Sequence, residues 1–487
     1  MGIRYFTLYC KQNKRAKRDT PCDKRNVPTG HYRTRRIQKM SKFPQGFMVG
    51  ASTAAHQVEG NNIHSDYWVQ ENVEHSQFVE PSGDAVDHYN RYEEDIRMMA
   101  EAGLTAYRFS IEWARIEPKK GEFDDKEIEH YRKVIACCKE NGIEPIVTMH
   151  HFTSPAWLIS MGGWENEEVV DLFANYVKYV VERLGSELNY ICTINEANMR
   201  LQLAAIMKKY MGSMGGGAKD ASNADTMKKM AEAPKQDAPK EGDVQVGLNL
   251  GQGMNTMMMG MMECAKAFGL QDPRGIHTFV SMCTPQGDIL VMKAHQAAKK
   301  VIKELYPDIK VGITLSLHDM QPEAGGEDAA AKEWDEEFRH YLPYIADDDF
   351  FGAQSYTRQC FDAEGNKYTP DGVELTQMGY EFYPQAIANV VRAVAKDFKG
   401  DIIVTENGIA TADDSRRQEY IKTATAGLQE CIADGIPLKG YMHWSLMDNF
   451  EWQKGFSMQF GLIAVDRSNM KRTAKESLYL LGSMATK

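Results

Sequence analysis

The sequence predicts an α/β fold in which eight parallel strands close into a single (β/α)8 barrel, the TIM-barrel architecture. From Phe47 onward, short apolar β-rich runs alternate with amphipathic helical patterns such as Glu93 to Ala102 and Val169 to Leu184, an alternation typical of parallel sheets. Residues 50–54 lack the glycine-rich phosphate loop that an open doubly wound sheet carries after its first strand. Eight strands are therefore predicted, at residues 47–51, 105–110, 145–150, 190–195, 311–315, 350–355, 401–405 and 439–444.

Length and composition fit a globular enzyme. The 487 residues could hold two or three average domains, and they also suit one barrel with insertions. The hydrophobic share of 43% and the charged share of 26% are ordinary. Residues 1–40 carry 12 basic and 2 acidic side chains, although the whole chain has a net charge of −11. The remainder is clearly acidic, which argues against binding nucleic acid or an anionic membrane through that part.

The basic N-terminal arm, residues 1–39, shows neither helical nor strand periodicity and is predicted to be a disordered extension. It suits either a nucleic-acid or targeting arm or a tail without a role. Met40 stands directly before the ordered pattern, so translation starting there would leave the arm out. The predicted domain organisation is this extension followed by one catalytic barrel domain at 40–487.

The cysteines and the hydropathy predict a cytoplasmic protein. Nine cysteines are scattered without metal-ligand or disulfide-framework spacing, which favours reduced thiols. No window reaches the apolar length of a membrane span, and the N-terminus lacks the apolar core of a signal peptide.

Residues 208–262 interrupt the alternation. The segment is rich in Met, Gly, Lys and Ala and includes the methionine-rich run Met257 to Met262. We expect an irregular insertion over the mouth of the barrel, because it follows the fourth strand. Its methionines suit a pliable wall for varied apolar groups, and a mobile insertion without substrate contact is an equal alternative.

Polar and aromatic residues collect where the predicted strands end, which in a parallel barrel is the face that carries active sites. Amides, an imidazole, carboxylates and indoles together suit a sugar, because its hydroxyls need hydrogen bonds and its apolar face stacks on rings. His150 and His151 are adjacent and no H-x-x-x-H helix pair occurs, so no zinc site is predicted. The residues at these ends are Gln57, Glu59, Arg108, His150, His151, Phe152, Asn195, Glu196, Tyr356, Glu406, Trp444, Glu451 and Trp452.

Two of these residues are glutamates that end separate strands. Glu196 follows the apolar run from Tyr190 to Ile194, and Glu406 follows the run from Asp401 to Val404. Either carboxylate alone is more simply a solvated strand end. Two carboxylates brought to one barrel face can flank a glycosidic bond, which is the arrangement of glycoside hydrolases.

The chain resembles glycoside hydrolase family 1, of the retaining β-glucosidase type, from about Phe43 to Gly482. Six motifs occur in the family's order, which makes the resemblance specific. They are FPQGFMVGASTAAHQVEG (43–60), YRFSIEWARIEP (107–118), HHFTSPAWL (150–158), TINEAN (193–198), VTENG (404–408) and HWSLMDNFEW (443–452).

The resemblance implies roles for these residues. Glu196 corresponds to the acid/base and Glu406 to the nucleophile, with carboxyls about 5–5.5 Å apart for retention. Arg108 and Tyr356 correspond to the partners that favour the ionised nucleophile, and Asn195 to the residue that binds the sugar 2-hydroxyl. Trp444 corresponds to the residue that forms the floor of the pocket. Four residues correspond to those that bind the sugar 3-, 4- and 6-hydroxyls: Gln57, His151, Glu451 and Trp452.

The resemblance also bears on substrate choice. The family's 6-phospho-β-glycosidases lack the glutamate found here at Glu451, and a carboxylate at that place would repel phosphate. Gln459 stands where a basic residue is usual. Three departures concern the aglycone side: Ala197 replaces a proline, Thr153 replaces an aspartate, and the segment 208–262 matches poorly.

The predicted function is a retaining β-glycosidase that removes terminal non-reducing β-D-glucosyl residues from small glycosides by double displacement, with β-galactosyl and β-fucosyl residues as further candidates. A 6-phospho-β-glycosidase and a transglycosylase would use the same two glutamates and remain alternatives, and an inactive sugar-binding protein ranks lower. No cofactor and no metal are expected. The expected partner is a small β-glycoside, without nucleic acid or membrane, and a homo-oligomer is left open.

Overall fold

The eight predicted strands form one closed parallel barrel. A computed structural model describes residues 42–205, 247–249 and 254–486. Each barrel strand pairs with the next along the chain, and the last pairs with the first, with Met48 opposite Gly440. All eight predicted strands are confirmed, with ends within two residues of those expected. Strands β1–β8 of the barrel are Met48–Ser52, Ala106–Ser110, Glu144–His150, Tyr190–Ile194, Lys310–Ser316, Phe350–Gln354, Asp401–Asn407 and Leu438–Trp444.

A helix of seven or more residues follows each strand, and β4 is followed by Met254–Ala267 as well as by Pro285–Leu305. The predicted helix Val169–Leu184 has the expected bounds, while the one predicted from Glu93 begins earlier, at His88. In Val169–Leu184 the buried side chains recur at helical spacing, so one apolar stripe packs inward. The main helices α1–α8 are His88–Ala102, Asp125–Glu140, Val169–Leu184, Pro285–Leu305, Glu327–Glu337, Ala386–Asp397, Asp414–Ala433 and Glu476–Gly482.

Shorter elements lie in the connections between strands and helices. Short α-helices span Ala55–Val58, Asp66–Glu71, Trp113–Ile116, Ala156–Ser160 and Leu342–Ile345, and residues 199–205 are also helical. Single 3-10 turns span Gly163–Glu165, Gly185–Glu187, Pro273–Gly275, Arg339–Tyr341 and Trp452–Lys454. Two small sheets add the strands Asp319–Pro322, Arg358–Phe361 and Lys367–Tyr368, and the antiparallel pair Ile463–Asp466 and Lys471–Ala474.

The core has two layers. Side chains from seven of the eight strands form one buried cluster, which must lie inside the barrel because its members come from all round it. A larger cluster lies between the strands and the surrounding helices. Both faces of every strand are thus covered, which explains the nearly continuous apolar runs of the sequence. The interior cluster is Met48, Ala106, Ile146, Cys192, Phe350, Ile403 and Met442.

The expectation of irregular structure across 208–262 is wrong for its last part. Met254–Ala267 is an α-helix, so the run Met257 to Met262 is helical, in keeping with the good helix propensity of methionine. Cys264 and Ala265 of this helix are buried, whereas Met259 and Met262 are exposed. The rest of the insertion, except 247–249, and the basic arm 1–39 lie outside the described residues. Among the described helices, none is long and apolar enough to cross a membrane.

Candidate active site

The two glutamates lie in one pocket at the rim formed by the carboxyl ends of the strands. Glu196 lies two residues after the end of β4, and Glu406 is the penultimate residue of β7. About 300 Å³ of space between the side chains of the pocket is free of protein atoms, including the open solvent at its mouth. Its lining is His151, Phe152, Asn195, Glu196, Tyr356, Glu406, Trp444, Glu451, Trp452 and Phe460.

Glu406 is held by two hydrogen-bond donors. Arg108 Nη1 donates to its Oε1 at 2.6 Å, and the Tyr356 hydroxyl donates to its Oε2 at 2.8 Å. Arg108 reaches the carboxylate from β2 and is fully buried, so its charge is poorly screened. Both carboxylate oxygens therefore have a fixed donor, which fixes the orientation of the group in the pocket.

The surroundings of the two glutamates shift their pKa values by different amounts. Burial, followed by the nearby Glu406 charge, raises the pKa of Glu196 well above its ordinary value. Burial also raises the pKa of Glu406, but Arg108 and the Tyr356 hydrogen bond oppose that rise. Glu406 is consequently the group that loses its proton first, and Glu196 keeps its proton to higher pH.

The backbone at Glu196 is fixed by Thr314 of β5. Glu196 has a positive φ of 43°, an uncommon conformation for a side chain of this type. Its N–H donates to Thr314 Oγ1 at 2.9 Å, and the N–H of Ala197 donates to the Thr314 carbonyl at 3.0 Å. A proline could not make the second bond. The Ala197 N–H therefore holds this turn against β5.

Asn195 joins four neighbours and so connects both glutamates. Its Oδ1 accepts from Arg108 at 2.6 Å, from Gln354 at 2.8 Å and from Thr314 at 3.0 Å. Its Nδ2 lies 3.1 Å from His151 Nε2, so it donates to that ring nitrogen. These bonds fix the orientation of Asn195 between Arg108, which binds Glu406, and Thr314, which holds the backbone at Glu196.

Sequence reasoning missed two of these partners, Thr314 and Gln354. Each is a polar residue at or near the end of an otherwise apolar run, β5 or β6, and both are fully buried. A buried polar residue at the carboxyl end of a barrel strand is itself a signal that could have identified them. Phe152 and Phe460 also line the pocket, and only Phe152 stood in a predicted strand-end group.

His151 faces the pocket as a neutral ring. Burial, with Arg108 and His150 nearby, lowers the pKa of His151 well below its ordinary value. Because Nε2 accepts from Asn195, the proton is on Nδ1. Within the described part of the chain, Nδ1 has no hydrogen-bond partner although it is buried. This N–H is available to a ligand hydroxyl.

Gln57 contacts Glu451, which lines the pocket, whereas Gln57 itself is fully buried and is not a lining residue. Gln57 Nε2 donates to the Phe450 carbonyl at 2.7 Å and lies 3.3 Å from Glu451 Oε2. Gln57 Oε1 is buried and has no partner among the described residues. Burial, with the Glu406 charge, raises the pKa of Glu451 to about 8. At neutral pH this carboxyl is mostly protonated, so it repels a phosphate less than an ionised carboxylate would.

Two indoles complete the pocket. Trp444 ends β8 and stacks near the His151 ring, with 5.6 Å between ring centroids. Trp452 packs edge-on against Tyr67, with 5.1 Å between ring centroids, and its ring is tilted by 51° to that of Phe152 at 5.3 Å. Both indoles are almost fully buried and line the pocket, an arrangement that suits the apolar face of a sugar ring.

Two residues of the predicted strand-end set belong to other clusters. Glu59 accepts from Arg115 at 2.8 Å and from the Tyr131 hydroxyl, and it does not line the pocket. His150 bonds Ser154 at 3.0 Å and packs among Trp164 and other rings of the core. The strand pattern alone could not separate them from the pocket residues, because His150 and His151 are consecutive at the end of β3 and face opposite sides, and Glu59 follows the short helix Ala55–Val58 rather than a strand.

The group of side chains that could hold a metal ion lies away from the pocket. Over residues 42–205, 247–249 and 254–486, the acidic and histidine side chains close enough to hold a metal ion are Glu74, His75 and Glu263. None of the three lines the pocket, and His75 Nδ1 pairs with Glu263 Oε1 at 2.6 Å. The pocket lining contains three carboxyl groups and several aromatic rings, and Arg108 binds one of the carboxyl groups without being a lining residue.

Sequence comparisons place the chain among glycosidases. The sequence model of glycosyl hydrolase family 1 matches residues 39–258 and 358–487. Beta-glucosidase A of Thermotoga maritima is 29% identical, covering 90% of this chain and 97% of the relative. A 6-phospho-beta-galactosidase of Leptotrichia buccalis is 28% identical, covering 90% of this chain and 97% of the relative.

Solved structures give the same picture. The crystal structure of beta-glycosidase BGL167 superimposes with a TM-score of 0.77 at 40% identity, covering 91% of this chain and 96% of that chain. The beta-glucosidase of Thermotoga maritima in complex with cyclophellitol superimposes with a TM-score of 0.69 at 27% identity, covering 91% and 98%. The chain therefore belongs to glycosyl hydrolase family 1, and it is a β-glycosidase with a (β/α)8-barrel fold.

Proposed function

We propose that this enzyme releases terminal non-reducing β-D-glucosyl residues from small glycosides with retention of configuration. The observation that carries the proposal is that two buried glutamates line one pocket and have different hydrogen-bond and charge environments. Glu406 has a donor on each oxygen, from Arg108 and Tyr356, whereas burial and the Glu406 charge keep Glu196 protonated. A nucleophile needs the first condition and a general acid needs the second.

In the first step, a Glu406 oxygen attacks the anomeric carbon while the bond from that carbon to the leaving oxygen breaks. Glu196 gives its proton to the leaving oxygen, so the aglycone departs as a neutral alcohol. The charge on Glu406 disappears in the ester that forms. The raised pKa of Glu196 then falls, because the Glu406 charge is one of its causes.

In the second step, the ionised Glu196 takes a proton from water as that water attacks the anomeric carbon. The ester bond to Glu406 breaks and the carboxylate is regenerated, with Arg108 and Tyr356 ready to receive it. A carboxyl separation of about 5–5.5 Å is expected for this retaining course. Both glutamates thus return to their initial protonation states.

The remaining pocket residues are proposed to hold the sugar. Asn195 would bind the 2-hydroxyl, a contact that strengthens in the transition state. Buried polar atoms without protein partners, Gln57 Oε1 and His151 Nδ1, support hydrogen bonds to further hydroxyls. Glu451 and Trp452 would hold the 4- and 6-hydroxyl end, and Trp444 would lie beneath the ring.

A 6-phospho-β-glycosidase is the second candidate, favoured by the relatives of that activity and by the protonated state of Glu451 at neutral pH. Against it, a phosphate would still meet Glu451 close to Glu406 in a pocket whose lining contains no lysine or arginine among the described residues. Transglycosylation by the same glutamates depends on whether an added alcohol captures the glycosyl-enzyme faster than water.

The test compares hydrolysis of aryl β-glucoside, β-galactoside, β-fucoside and 6-phospho-β-glucoside by the purified protein. Hydrolysis of the plain glucoside that disappears in Glu406→Gln and in Glu196→Gln is the expected result. Glu304→Gln, on the exposed face of α4, is the matched control and should retain activity. Hydrolysis of the phosphorylated sugar alone would replace the proposal by the second candidate, and full activity in both pocket variants would overturn the assignment of the glutamates.

The domain organisation of the chain and its cellular location form the last part of the proposal. We propose one catalytic barrel domain over 40–487, preceded by a non-catalytic extension, and a cytoplasmic enzyme. All seven cysteines in the described part of the chain are unpaired, which supports a reducing compartment. Fractionation of the native cells, with the mature N-terminus read by mass spectrometry, tests both statements.

A further inference from the structure

Three separate segments of the chain meet at Gln453, the residue that directly follows Trp452. One is the loop at 77–79, which follows the short helix Asp66–Glu71. Another is the stretch 247–249 of the connection after β4. The third is the turn at 451–455, which carries two of the proposed sugar-binding residues.

Gln453 bonds to both neighbouring segments with its backbone and its side chain. Its N–H donates to the Gly247 carbonyl at 3.0 Å, and its carbonyl accepts from the Val79 N–H at 3.1 Å. Its Oε1 accepts from the Asn249 N–H at 2.7 Å. Its Nε2 lies 3.4 Å from Gln77 Oε1, and Asn249 Nδ2 donates to the Gln77 carbonyl at 3.1 Å. The three segments are thus cross-linked around one side chain.

The stretch 247–249 also lies directly against Glu451. A Cβ added to Gly247 would come within 2.7 Å of the Glu451 carbonyl oxygen and 3.2 Å of its Cγ. Gly247 is buried, so a side chain there has no room to turn away. Glycine at this position is what permits the close approach of the two backbones.

The Trp452 ring is held independently of Gln453. It lies parallel to the His56 ring, with an interplanar angle of 5° and 6.2 Å between centroids, and edge-on to Tyr67. His56 in turn bonds Glu71 at 2.6 Å. Loss of the Gln453 contacts should therefore displace the Glu451 side of the turn more than the indole.

We propose that Gln453 is a positioning residue that fixes Glu451 through the 247–249 stretch and so determines how strongly the enzyme recognises the 6-hydroxyl end of the sugar. The inference rests on the proposed function, in which Glu451 holds that end. Gln453 itself does not line the pocket and acts through its neighbour. The stretch 247–249 of the connection after β4 thereby influences sugar recognition by positioning Glu451, and not by touching the sugar itself.

The test measures kcat/KM for an aryl β-glucoside and for the 6-deoxy-β-glucoside, which lacks the hydroxyl in question. Gln453→Met keeps the size of the side chain and removes the acceptor for Asn249, so the preference for the glucoside should fall about tenfold, mainly through KM. Gln453→Glu keeps that acceptor and should restore most of the preference. Gly247→Ala should reproduce the loss by pushing on Glu451 directly.

Gln296→Met, at an exposed position on α4, is the matched control and should leave the preference unchanged. A merely destabilised variant loses activity on both substrates alike, so its preference stays constant. Wild-type hydrolysis with an unaltered preference in both Gln453→Met and Gly247→Ala would overturn the inference alone. Absence of hydrolysis by the wild-type protein would overturn the proposed function, and the inference with it.

Discussion

The hydrogen bond from Tyr356 to Glu406 provides a quantitative test of the proposed nucleophile. Burial, with the nearby Glu406 and Glu196 charges, raises the pKa of Tyr356 well above its ordinary value, so the hydroxyl stays protonated and donates at any working pH. The bond is 2.8 Å long, and in the proposed function it ends on an ionised carboxylate. Hydrogen bonds to charged groups contribute about 1.5–3 kcal/mol. Removing this bond in Tyr356→Phe should destabilise the carboxylate form of Glu406 by that amount.

The expected effect is a rise in the pKa of Glu406. At about 1.36 kcal/mol per pKa unit, the loss corresponds to a rise of about 1–2 units. Because the nucleophile must be ionised, the acid limb of kcat/KM against pH should move upward by the same amount. Below that limb, each unit of the shift costs about tenfold in rate.

The measurement is the pH profile of kcat/KM on an aryl β-glucoside for the wild type and the variant. Tyr479→Phe, a half-exposed tyrosine of α8, makes the same chemical change away from the pocket and should leave both limbs in place. An acid limb that stays put or moves to lower pH in Tyr356→Phe would refute the claim that Tyr356 stabilises the ionised nucleophile.

Three further predictions follow from single contacts. Burial raises the pKa of Glu451 from 4.5 to about 8, so this one carboxyl should increasingly destabilise the folded wild type between those pH values. In denaturant titrations, the free energy of unfolding of Glu451→Gln should therefore gain up to about 5 kcal/mol relative to wild type by pH 8. An equal gain at pH 5 would contradict this. In Gly408→Ala the new Cβ would lie 1.9 Å from the Trp444 carbonyl oxygen, so thermal melts should show a loss of about 1–3 kcal/mol and turnover should drop. Gly275→Ala, with its nearest atom at 3.6 Å, is the neutral control. Thr314→Val removes a hydrogen bond to the side-chain amide of Asn195, which is proposed to hold the sugar 2-hydroxyl. It should therefore lower kcat/KM for the glucoside about tenfold more than for the 2-deoxyglucoside. An equal loss on both substrates would refute that link.

The sequence alone was sufficient for the barrel. Strands buried on both faces must be nearly continuous apolar runs, and helices that cover a barrel must carry one apolar stripe, so the alternation is visible without coordinates. The same logic placed Glu196 and Glu406 on one face, because the carboxyl ends of parallel strands share a rim. The ends of the strands agreed to within two residues, since polar residues and glycines mark them.

Only the tertiary structure decided which strand-end residues meet. Glu59 and Gln57 are two positions apart, yet Gln57 bonds Glu451 and Glu59 bonds Arg115, because neighbouring side chains leave the backbone in different directions. The partners Thr314 and Gln354 come from strands distant in sequence, and no local pattern encodes their convergence on Asn195. The raised pKa of Glu451 and the contacts of Gln453 likewise depend on burial and on segments that sequence spacing does not bring together. Local pattern therefore determined the elements and the shared rim, while long-range packing determined the chemistry of each side chain there.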